Sequence, residues 1–396
     1  MKLNKLLFLT HNYIRRPGDY AGVFLHLLAT RLRDLDFEIH VVAPHDTGCA
    51  EYEEIDGIKI HRFRYADDRD ETFAYRGDMH RQIFKNPFKL KIFRNFLKSE
   101  FDLTFSIIEK ENISIVAAHW VVPNGIVARR LKNRFGDKIK LFLHSHGTDI
   151  RLLTWCYFVY RYFRPVTRMA ERWTVVSNYL LRLILERDLS MADKVEIIPM
   201  PNDEKIFYPD SHIIEDPNLI VAVSRLTVQK RLGYLIEAIN FLRQDLPHLK
   251  LEIYGSGPEK QRLLEIIESR NLQDKVKILD PIPQKELRKV YNRAAVVVLN
   301  SIDEGFGLSL IEAMLCKRPV IGTESGGITD IIDDGKTGLL VAPDNTKELA
   351  GAIRKLMIHP GDRDNLAESG YRKAVEKFSS AASAKRFAEL YRQSSE

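Results

Sequence analysis

Short runs of Val, Ile and Leu alternate along the chain with longer segments in which apolar residues recur every three or four positions. The short runs predict buried strands, and the longer segments predict amphipathic helices. Strands that are apolar on both faces are typical of parallel sheets covered by helices, so we predict an α/β protein with doubly wound sheets. The predicted strands are 6–10, 38–43, 58–63, 113–119, 139–146, 173–177 and 195–199, followed by 219–224, 249–255, 276–279, 295–300, 319–322 and 338–341.

This pattern weakens between positions 199 and 217, where four prolines and several acidic residues interrupt it. We therefore predict two Rossmann-like domains, residues 1–200 and residues 205–377. In doubly wound domains the ligands bind at the carboxyl ends of the strands. The two domains are expected to face each other across a cleft.

Composition narrows the class of protein. The 396 residues are 45% apolar and 29% charged, with a net charge of +6, which is typical of a soluble globular protein. The first apolar run is too short for a signal peptide, and no run of about 20 apolar residues predicts a membrane-spanning helix. The three cysteines are widely spaced, so neither a disulfide framework nor a metal-ligand cluster is expected. A cytoplasmic location is predicted.

The most informative segment for chemistry is Glu304-Gly-Phe-Gly-Leu-Ser-Leu-Ile-Glu312. Two carboxylates eight positions apart on a helix are separated by roughly 12 Å, so they address different parts of an extended ligand. The glycines let backbone approach that ligand, and the helix N-terminus offers unpaired N–H groups to an anion. A nucleotide sugar is long, polar and anionic enough to use the whole segment.

Two other loops of the second half carry weaker signals. Arg225 and Lys230 follow the strand 219–224, where cations suit a diphosphate, although a solvated basic loop is the commoner meaning of such a pattern. Gly255 and Gly257 follow the next strand. They indicate either a tight turn or a loop that faces phosphate or base.

Polar residues also end neighbouring strands of the first half. His119 ends the strand 113–119, and His146 ends the strand 139–146 within His146-Gly-Thr-Asp149. A neutral imidazole at such a place can hydrogen-bond a sugar hydroxyl or a developing charge, although a lone histidine is more often structural. The spacing of these histidines does not suit a metal site.

The second half resembles the nucleotide-binding domain of retaining GT-B glycosyltransferases of family 4, the glycogen-synthase-like group. The resemblance lies in the order of the Arg225 and Lys230 pair, the Gly255-Ser-Gly-Pro turn, Glu304 and Glu312, Ser325-Gly-Gly and Asp334-Gly-Lys-Thr-Gly. Lys317 departs from the family pattern, which usually has glycine there. The first half resembles the family more loosely, through His146-Gly-Thr-Asp149.

The resemblance implies a GT-B fold and transfer of a sugar from a nucleoside-diphosphate sugar with retention of configuration, without a metal or other cofactor. It implies that Arg225 and Lys230 bind the donor diphosphate. Glu304 would contact hydroxyls of the transferred sugar, and Glu312 the ribose. The other residues implied at the donor site are Gly22, Gly255, Gly257, Phe306, Gly307 and Leu308.

In the first half, the resemblance implies a catalytic role for His146. His119 and Asp149 are implied on the acceptor side. The last helix, residues 378–396, is implied to return to the first domain.

Two segments of the first half predict contact with a membrane. Within 84–98, Phe88, Ile92 and Phe96 recur in steps of four and no acidic residue is present, while 151–173 is rich in Tyr, Phe and Arg. An apolar face flanked by cations suits an interfacial helix on anionic lipid, although packing of the aromatic residues in the core explains the same pattern. Nucleic acid is not expected as a partner, because no nucleic-acid-binding signature accompanies these residues.

The predicted function is therefore transfer of a sugar from a nucleotide sugar to a saccharide or lipid-linked acceptor, with peripheral contact to the cytoplasmic face of a membrane. Two alternatives stay open at the level of sequence. A nucleotide-sugar epimerase of the same fold would convert the donor without any acceptor. A non-catalytic, membrane-docked binding protein would hold the donor without turnover.

Overall fold

A computed structural model describes residues 4–19, 21–75, 79, 82 and 89–393. The chain forms two compact units. Unit 1 comprises Met1–Pro201 together with Ser383–Glu396, and unit 2 comprises Asn202–Ala382. Each unit has a sheet of its own. Within the described residues, none of the helices has both the length and the apolar character needed to span a bilayer.

The sheet of unit 1 is built around a central strand whose apolar residues are fully buried. Its strands are β1 Asn4–Leu9, β2 Phe37–Pro44, β3 Tyr52–Ile55, β4 Ile58–Phe63, β5 Ile115–His119, β6 Lys140–Ser145, β7 Arg172–Val175 and β8 Val195–Ile197. The strand order is β3-β4-β2-β1-β5-β6-β7-β8, parallel except for β3, which pairs antiparallel with β4. The side chains of β1 from Leu6 to Leu9 have no exposed surface, as expected of a strand covered on both faces.

The helices of unit 1 follow the strands in alternation. They are α1 Val23–Arg33, α2 Lys89–Glu111, α3 Val121–Phe135, α4 Thr148–Trp155, α5 Tyr157–Met169 and α6 Asn178–Arg187. Buried apolar residues on α1 recur at the helical spacing, with Leu25, Leu28, Ala29 and Leu32 facing the core.

Unit 2 repeats this architecture with a smaller sheet that is parallel throughout. Its strands are β9 Asp216–Val223, β10 Lys250–Tyr254, β11 Val276–Leu279, β12 Ala294–Leu299, β13 Val320–Thr323 and β14 Leu339–Val341, in the order β11-β10-β9-β12-β13-β14. Its helices are α7 Leu232–Leu242, α8 Lys260–Ser269, α9 Gln284–Arg293, α10 Leu308–Leu315, α11 Ile328–Ile331, α12 Thr346–Ile358 and α13 Pro360–Phe378. The strand β9 lies at the centre, so the loops after β10, β9, β12 and β13 lie side by side at the carboxyl edge.

The last helix, α14 Ser380–Gln393, begins in unit 2 and has most of its length in unit 1. In unit 1, Tyr391 is fully buried, and its hydroxyl is 2.8 Å from Nε2 of His144. The ring of Tyr391 also packs on Phe142, with ring centroids 5.0 Å apart. This helix therefore supplies part of the core of unit 1.

All of the predicted strands are present, with ends shifted by a few residues, and the prediction of an α/β fold is confirmed. One strand was missed. β3 forms a hairpin with β4 through Asp56 and Gly57, which both adopt left-handed backbone angles, with φ of 49° and 70°. Asp-Gly is a strong signal for such a two-residue turn, but β3 alternates between exposed and half-buried positions and lacks the apolar run of the other strands.

Of the apolar residues predicted to form a membrane face within 84–98, Phe96 is buried and Ile92 is half-buried. Residues 84–88 lie outside the described residues. In α2, Phe96 is fully buried, and its ring centroid lies 4.9 Å from that of Phe63 and 5.0 Å from that of Tyr65. Phe96 therefore packs in the core, whereas membrane contact of the remaining residues of this segment stays a prediction.

Candidate active site

Three loops of unit 2 are joined by hydrogen bonds at the carboxyl edge of the sheet. They follow β9, β12 and β13, which are neighbours in the sheet. The backbone N–H of Ile302 donates to the carbonyl of Gln229 at 3.0 Å, and the amide side chain of Gln229 donates to the carbonyl of Asp303 at 2.9 Å. The N–H of Asp303 donates to Oγ of Ser325 at 3.0 Å. These bonds fix the three loops relative to one another.

The same loops bring two predicted site residues into contact. Nζ of Lys230 forms an ion pair with Oε2 of Glu304, although the two residues are 74 positions apart. The Lys230 side chain is 13% exposed and that of Glu304 is 17% exposed, so the pair is shielded from most solvent screening. A cation and a carboxylate are thus held ready at the edge where ligands of such folds bind.

Glycines allow the turn after β13 to press against the loop that carries Glu304. A Cβ on Gly326 would lie 2.4 Å from the Glu304 carbonyl oxygen, and Gly326 has a left-handed φ of 62°. The N–H of Gly327 donates to that same carbonyl oxygen at 2.7 Å. A larger residue at Gly326 would displace the backbone of Glu304, and one at Gly327 would displace that of Gly305.

The turn after β10 presses in the same way against the basic loop. A Cβ on Gly255 would lie 1.9 Å from the carbonyl oxygen of Ser224, and one on Gly257 would lie 2.3 Å from that of Leu226. The N–H of Leu226 donates to the carbonyl of Ser256 at 2.8 Å. Arg225, between these two contacts, is exposed, and no acceptor for its guanidinium is found among the described residues. The glycine turn thus shapes the backbone on both sides of an available cation.

Glu312 lies on α10 in a largely apolar setting. Its carboxylate accepts a hydrogen bond of 2.7 Å from the buried hydroxyl of Tyr291. Burial raises the pKa of Glu312 to about 7, and the hydrogen bond from Tyr291 opposes that shift. Glu312 therefore changes its charge near neutral pH.

The other predicted donor-site residues surround the start of α10. Gly307 precedes the helix with a left-handed φ of 116°, and Leu308 is its first residue. Phe306 is buried and packs edge-to-face against Phe378, with ring centroids 5.7 Å apart. The Phe306 ring therefore anchors the loop in unit 2.

In unit 1, the predicted histidines follow neighbouring strands and contact each other. Nδ1 of His119, at the end of β5, lies 3.2 Å from Nε2 of His146, which follows β6. Burial lowers the pKa of both histidines well below the usual value, so both imidazoles are neutral at pH 7. His119 has no exposed surface, whereas His146 is half-buried. His146 is thus the one of the two with a surface that a ligand can reach.

Asp149 organises the backbone around these histidines. Its carboxylate is 2% exposed and accepts hydrogen bonds from the N–H of Val121 at 2.9 Å and the hydroxyl of Ser145 at 2.6 Å. The N–H groups of His146 and Gly147 donate to its other oxygen at 3.3 Å each. Burial raises the pKa of Asp149, and these bonds oppose the shift. With four donors and almost no exposure, Asp149 positions the loops that carry the histidines.

Replacing Asp149 with Ala is expected to destabilise the protein by about 3 kcal/mol, because several buried donors lose their acceptor. The corresponding fall in Tm is roughly 10 °C for a unit of this size. Thermal unfolding checks this, with Asp137→Ala as the control, since Asp137 is a fully exposed aspartate of the same unit. A Tm within about 2 °C of wild type in Asp149→Ala would contradict the structural role.

Gly22 is required by the backbone at the start of α1. Its φ is 60°, and a Cβ there would lie 2.6 Å from the carbonyl oxygen of Asn12 and from Cα of Tyr13. The backbone at Asn12 and Tyr13 therefore packs closely against Gly22. A contact of Gly22 with the donor stays a prediction.

Several residues near His146 were missed by the sequence analysis. Trp120 has a left-handed φ of 57°, and its ring lies 4.4 Å from that of His146. Phe24 packs on His146 at 5.3 Å, and His11 packs on Trp120 at 4.9 Å. Each of these residues adjoins a predicted motif, but an aromatic residue beside a motif carries no signal of its own. Together they form an aromatic wall beside the neutral imidazole of His146.

Two groups of side chains in unit 1 have the geometry to hold a metal ion: Glu38, His40 and Glu111, and His45, Asp68 and Glu71. In the first group, Lys59 pairs with Glu38 at 2.6 Å and Lys5 pairs with Glu111 at 3.2 Å. In the second, Arg64 pairs with Asp68. Cations thus already compensate these carboxylates, and neither group contains a predicted site residue.

Sequence profiles of two known families match the two halves of the chain. The profile described as Glycosyltransferase Family 4 matches residues 21–205, and that described as Glycosyl transferases group 1 matches residues 204–373. The N-acetyl-alpha-D-glucosaminyl L-malate synthase of Bacillus anthracis is 26% identical over 72% of this chain and 76% of its own length. An uncharacterized glycosyltransferase of Methanocaldococcus jannaschii is 25% identical over 88% of each chain.

Solved structures share the fold over nearly the whole chain. Sucrose-phosphate synthase from Thermosynechococcus elongatus matches with a TM-score of 0.82 over 98% of both chains, at 20% identity. HepE from Anabaena, in complex with UDP and glucose, matches with a TM-score of 0.73 at 17% identity, over 98% of this chain and 99% of HepE. At such identities the likeness is one of fold.

Proposed function

Because this chain is a glycosyltransferase of the GT-B fold, we propose that unit 2 holds a nucleoside-diphosphate sugar and that the sugar is transferred with retention of configuration. The observation that carries the proposal is the contact of Lys230 with Glu304 at the carboxyl edge of the sheet. A cation for the diphosphate and a carboxylate for sugar hydroxyls lie side by side there. The complex of HepE with UDP and glucose, on the same fold, supports a donor of this class.

In the proposed reaction, the bond between C1 of the sugar and the diphosphate oxygen breaks while the acceptor oxygen bonds to C1 on the same face. Lys230 and the exposed Arg225 stabilise the charge that develops on the leaving diphosphate. The proton of the acceptor hydroxyl passes to an oxygen of that diphosphate. These two side chains supply the positive charge, so the proposal needs no metal ion. His146 is the group of unit 1 assigned to hydrogen-bond a substrate hydroxyl.

The test is turnover of UDP-, GDP- and ADP-sugars with and without saccharide acceptors, with the anomeric configuration of the product read by NMR. Release of nucleoside diphosphate that requires an acceptor, with a product of retained configuration, is the expected result. Inversion of configuration would overturn the proposed mechanism. Conversion of the donor without any acceptor would favour an epimerase, and binding of a donor without turnover would favour a non-catalytic binding protein.

The charge of Glu312 predicts a pH dependence of nucleotide binding. Its assigned partner is the ribose, whose hydroxyls donate to an ionised carboxylate. With a pKa of about 7, Glu312 is mostly protonated at pH 6 and mostly ionised at pH 8. The affinity for UDP is therefore expected to rise by about tenfold between these values.

Calorimetric titrations of wild type and Glu312→Gln check this expectation. The nucleotide titrates too, so the informative quantity is the ratio of the two affinities at each pH. That ratio should grow as the pH rises through 7, because only the wild type gains a carboxylate. A ratio that stays constant from pH 6 to pH 8 would contradict the role given to Glu312.

For the acceptor side, we propose a saccharide or lipid-linked acceptor and peripheral contact with the cytoplasmic face of a membrane through residues 151–173. Exposed aromatic side chains in this segment support the contact: Trp155, Tyr157, Phe158 and Tyr162. Cations on α5, with no acidic residue on that helix, suit an anionic lipid surface. A cytoplasmic location agrees with cysteines that are not paired in disulfides.

A further inference from the structure

A groove in unit 1 lies between α4 and α6. Its volume is about 480 Å³, and it is lined by aromatic, apolar and basic side chains together with Thr154 and one acidic side chain, Glu186. Trp155 and Tyr179 supply aromatic surface, Leu183 is apolar, and Arg151 and Arg187 bring two positive charges. Such a lining suits a ligand that combines an anionic group with apolar surface.

Neither guanidinium group, of Arg151 or of Arg187, has an ion-pair partner among the described residues, so both can bind an anionic ligand. The guanidinium of Arg187 packs on the rings of Tyr157 and Tyr160, 5.2 and 5.8 Å from their centroids, and its Nε is buried without a hydrogen-bond acceptor. Arg151 is half-buried, and no acceptor for its guanidinium occurs in the part of the chain that the structure describes. Guanidinium groups bind phosphate oxygens through their fork of N–H donors. The groove therefore offers two partly desolvated cations to an anion.

Large apolar side chains project from the rim of this groove. Trp155 is 88% exposed, Phe158 is 79% exposed and Leu189 is 74% exposed. Exposed apolar side chains that cluster beside polar or charged groups mark sites of interaction with proteins or membranes. On α5, the exposed Arg161 and Arg168 share the outer surface with Phe158. The rim thus presents apolar groups and cations together, which is the combination that an anionic lipid surface complements.

We propose that this groove binds the headgroup phosphate of an anionic phospholipid in a membrane, with Trp155 and Phe158 inserted among the headgroups. The inference rests on the membrane contact in the proposed function and names its site and its ligand. A second copy of the chain is a poorer occupant, because a twofold contact would bring Arg151, Arg187, Arg161 and Arg168 of both copies together, against one acidic groove residue from each copy, Glu186. Like charges so placed oppose association.

Binding to vesicles of phosphatidylglycerol and of phosphatidylcholine, measured by co-sedimentation, tests the proposal. The variants are Arg151→Gln with Arg187→Gln, and Trp155→Ser with Phe158→Ser. Arg182→Gln is the matched control, since Arg182 is an exposed arginine of α6 that does not line the groove. The arginine variant is expected to bind phosphatidylglycerol vesicles roughly 30-fold more weakly than wild type, from about one cation–lipid contact per arginine. The aromatic variant should also bind these vesicles more weakly than wild type, and the affinity of the control should stay within about twofold of wild type.

Four results would overturn the proposal. Wild-type affinity in the arginine variant would show that the groove does not hold the phosphate. Equal binding of wild type to both kinds of vesicle would show that anionic charge is not recognised. A wild-type dimer that becomes monomeric in Trp155→Ser with Phe158→Ser, without vesicle binding, would assign the surface to a second copy. Stabilisation by inorganic phosphate alone, lost in the arginine variant and without vesicle binding, would assign the groove to a soluble anion.

Thermal stabilisation by UDP, measured on the same preparations, separates this inference from the proposed function. Donor binding is assigned to unit 2, so all variants of the groove should keep it. A variant that no longer binds vesicles but is still stabilised by UDP has lost the function of the groove without losing the fold or the donor site. If wild type binds vesicles but is not stabilised by any nucleoside diphosphate, the proposed function fails, whereas the assignment of the groove to an anionic phospholipid is retained.

Discussion

Replacing Lys230 with Ala is expected to lower kcat by about 10³-fold, the effect of removing a preorganised cation from developing negative charge. Lys230 is only 13% exposed, and its ion pair with Glu304 holds its charge in place before any donor binds. The fold is expected to persist with a loss of about 1 kcal/mol, because the Glu304 carboxylate still reaches water. Turnover with donor and acceptor, and Tm measured in parallel, check the two expectations.

The matched control for this experiment is Lys373→Ala. Lys373 lies on α13, is 10% exposed and pairs with Asp333 at 3.0 Å, so it is as shielded as Lys230 but is not on the three joined loops. Its loss should change Tm by a similar amount and leave kcat within about twofold. If the kcat of Lys230→Ala equals that of Lys373→Ala, the assignment of Lys230 to the diphosphate is wrong.

Changing Glu304 to Gln is expected to move catalysis and nucleotide affinity in opposite directions. Loss of the carboxylate removes a strong acceptor for the hydroxyls of the sugar and should lower kcat by about 10²-fold. The same change frees Lys230 from its ion pair with Glu304. UDP, which carries no sugar, then meets an uncompensated cation, and its affinity should rise by about fivefold.

Titration with UDP and turnover of the matching donor measure the two effects on one protein. Glu368→Gln serves as control, because Glu368 forms an ion pair with Lys317 at 2.7 Å on the surface of unit 2. It should alter neither quantity by more than about twofold. A fall in UDP affinity in Glu304→Gln would mean that the ion pair supports the nucleotide site rather than competing with the diphosphate.

Local patterns predicted the sheets well because most strands are apolar on both faces. The hairpin strand β3 failed this rule, since it lies at the edge and leaves Tyr52 exposed. The helix α2 shows a different limit of local patterns. Apolar residues in steps of four fit a membrane surface and a protein core equally well, and only the contact of Phe96 with Phe63 assigns Phe96 to the core.

The candidate site was predictable as a set of loops, but not as a set of contacts. Residues such as Arg225 and Gly255 were found because each lies just after a predicted strand. The ion pair of Lys230 with Glu304 joins loops 74 positions apart, and no local pattern specifies it. Lys317 is a residue whose backbone the sequence pattern did not reveal. It adopts a left-handed φ of 55°, a conformation that glycine adopts easily, and this accounts for the glycine usual there in the family that the second half resembles.

The position of α14 has a consequence for biosynthesis. Unit 1 contains Met1–Pro201, which leaves the ribosome before unit 2, yet it also contains Ser383–Glu396, which follows unit 2 in the chain. Until then, the side chains that Tyr391 covers, Phe142 and His144, lack their partner. Unit 2 is continuous and can fold before the segment of α14 emerges, whereas unit 1 must wait for that segment. The part of the polypeptide that is made first is thus the one completed last.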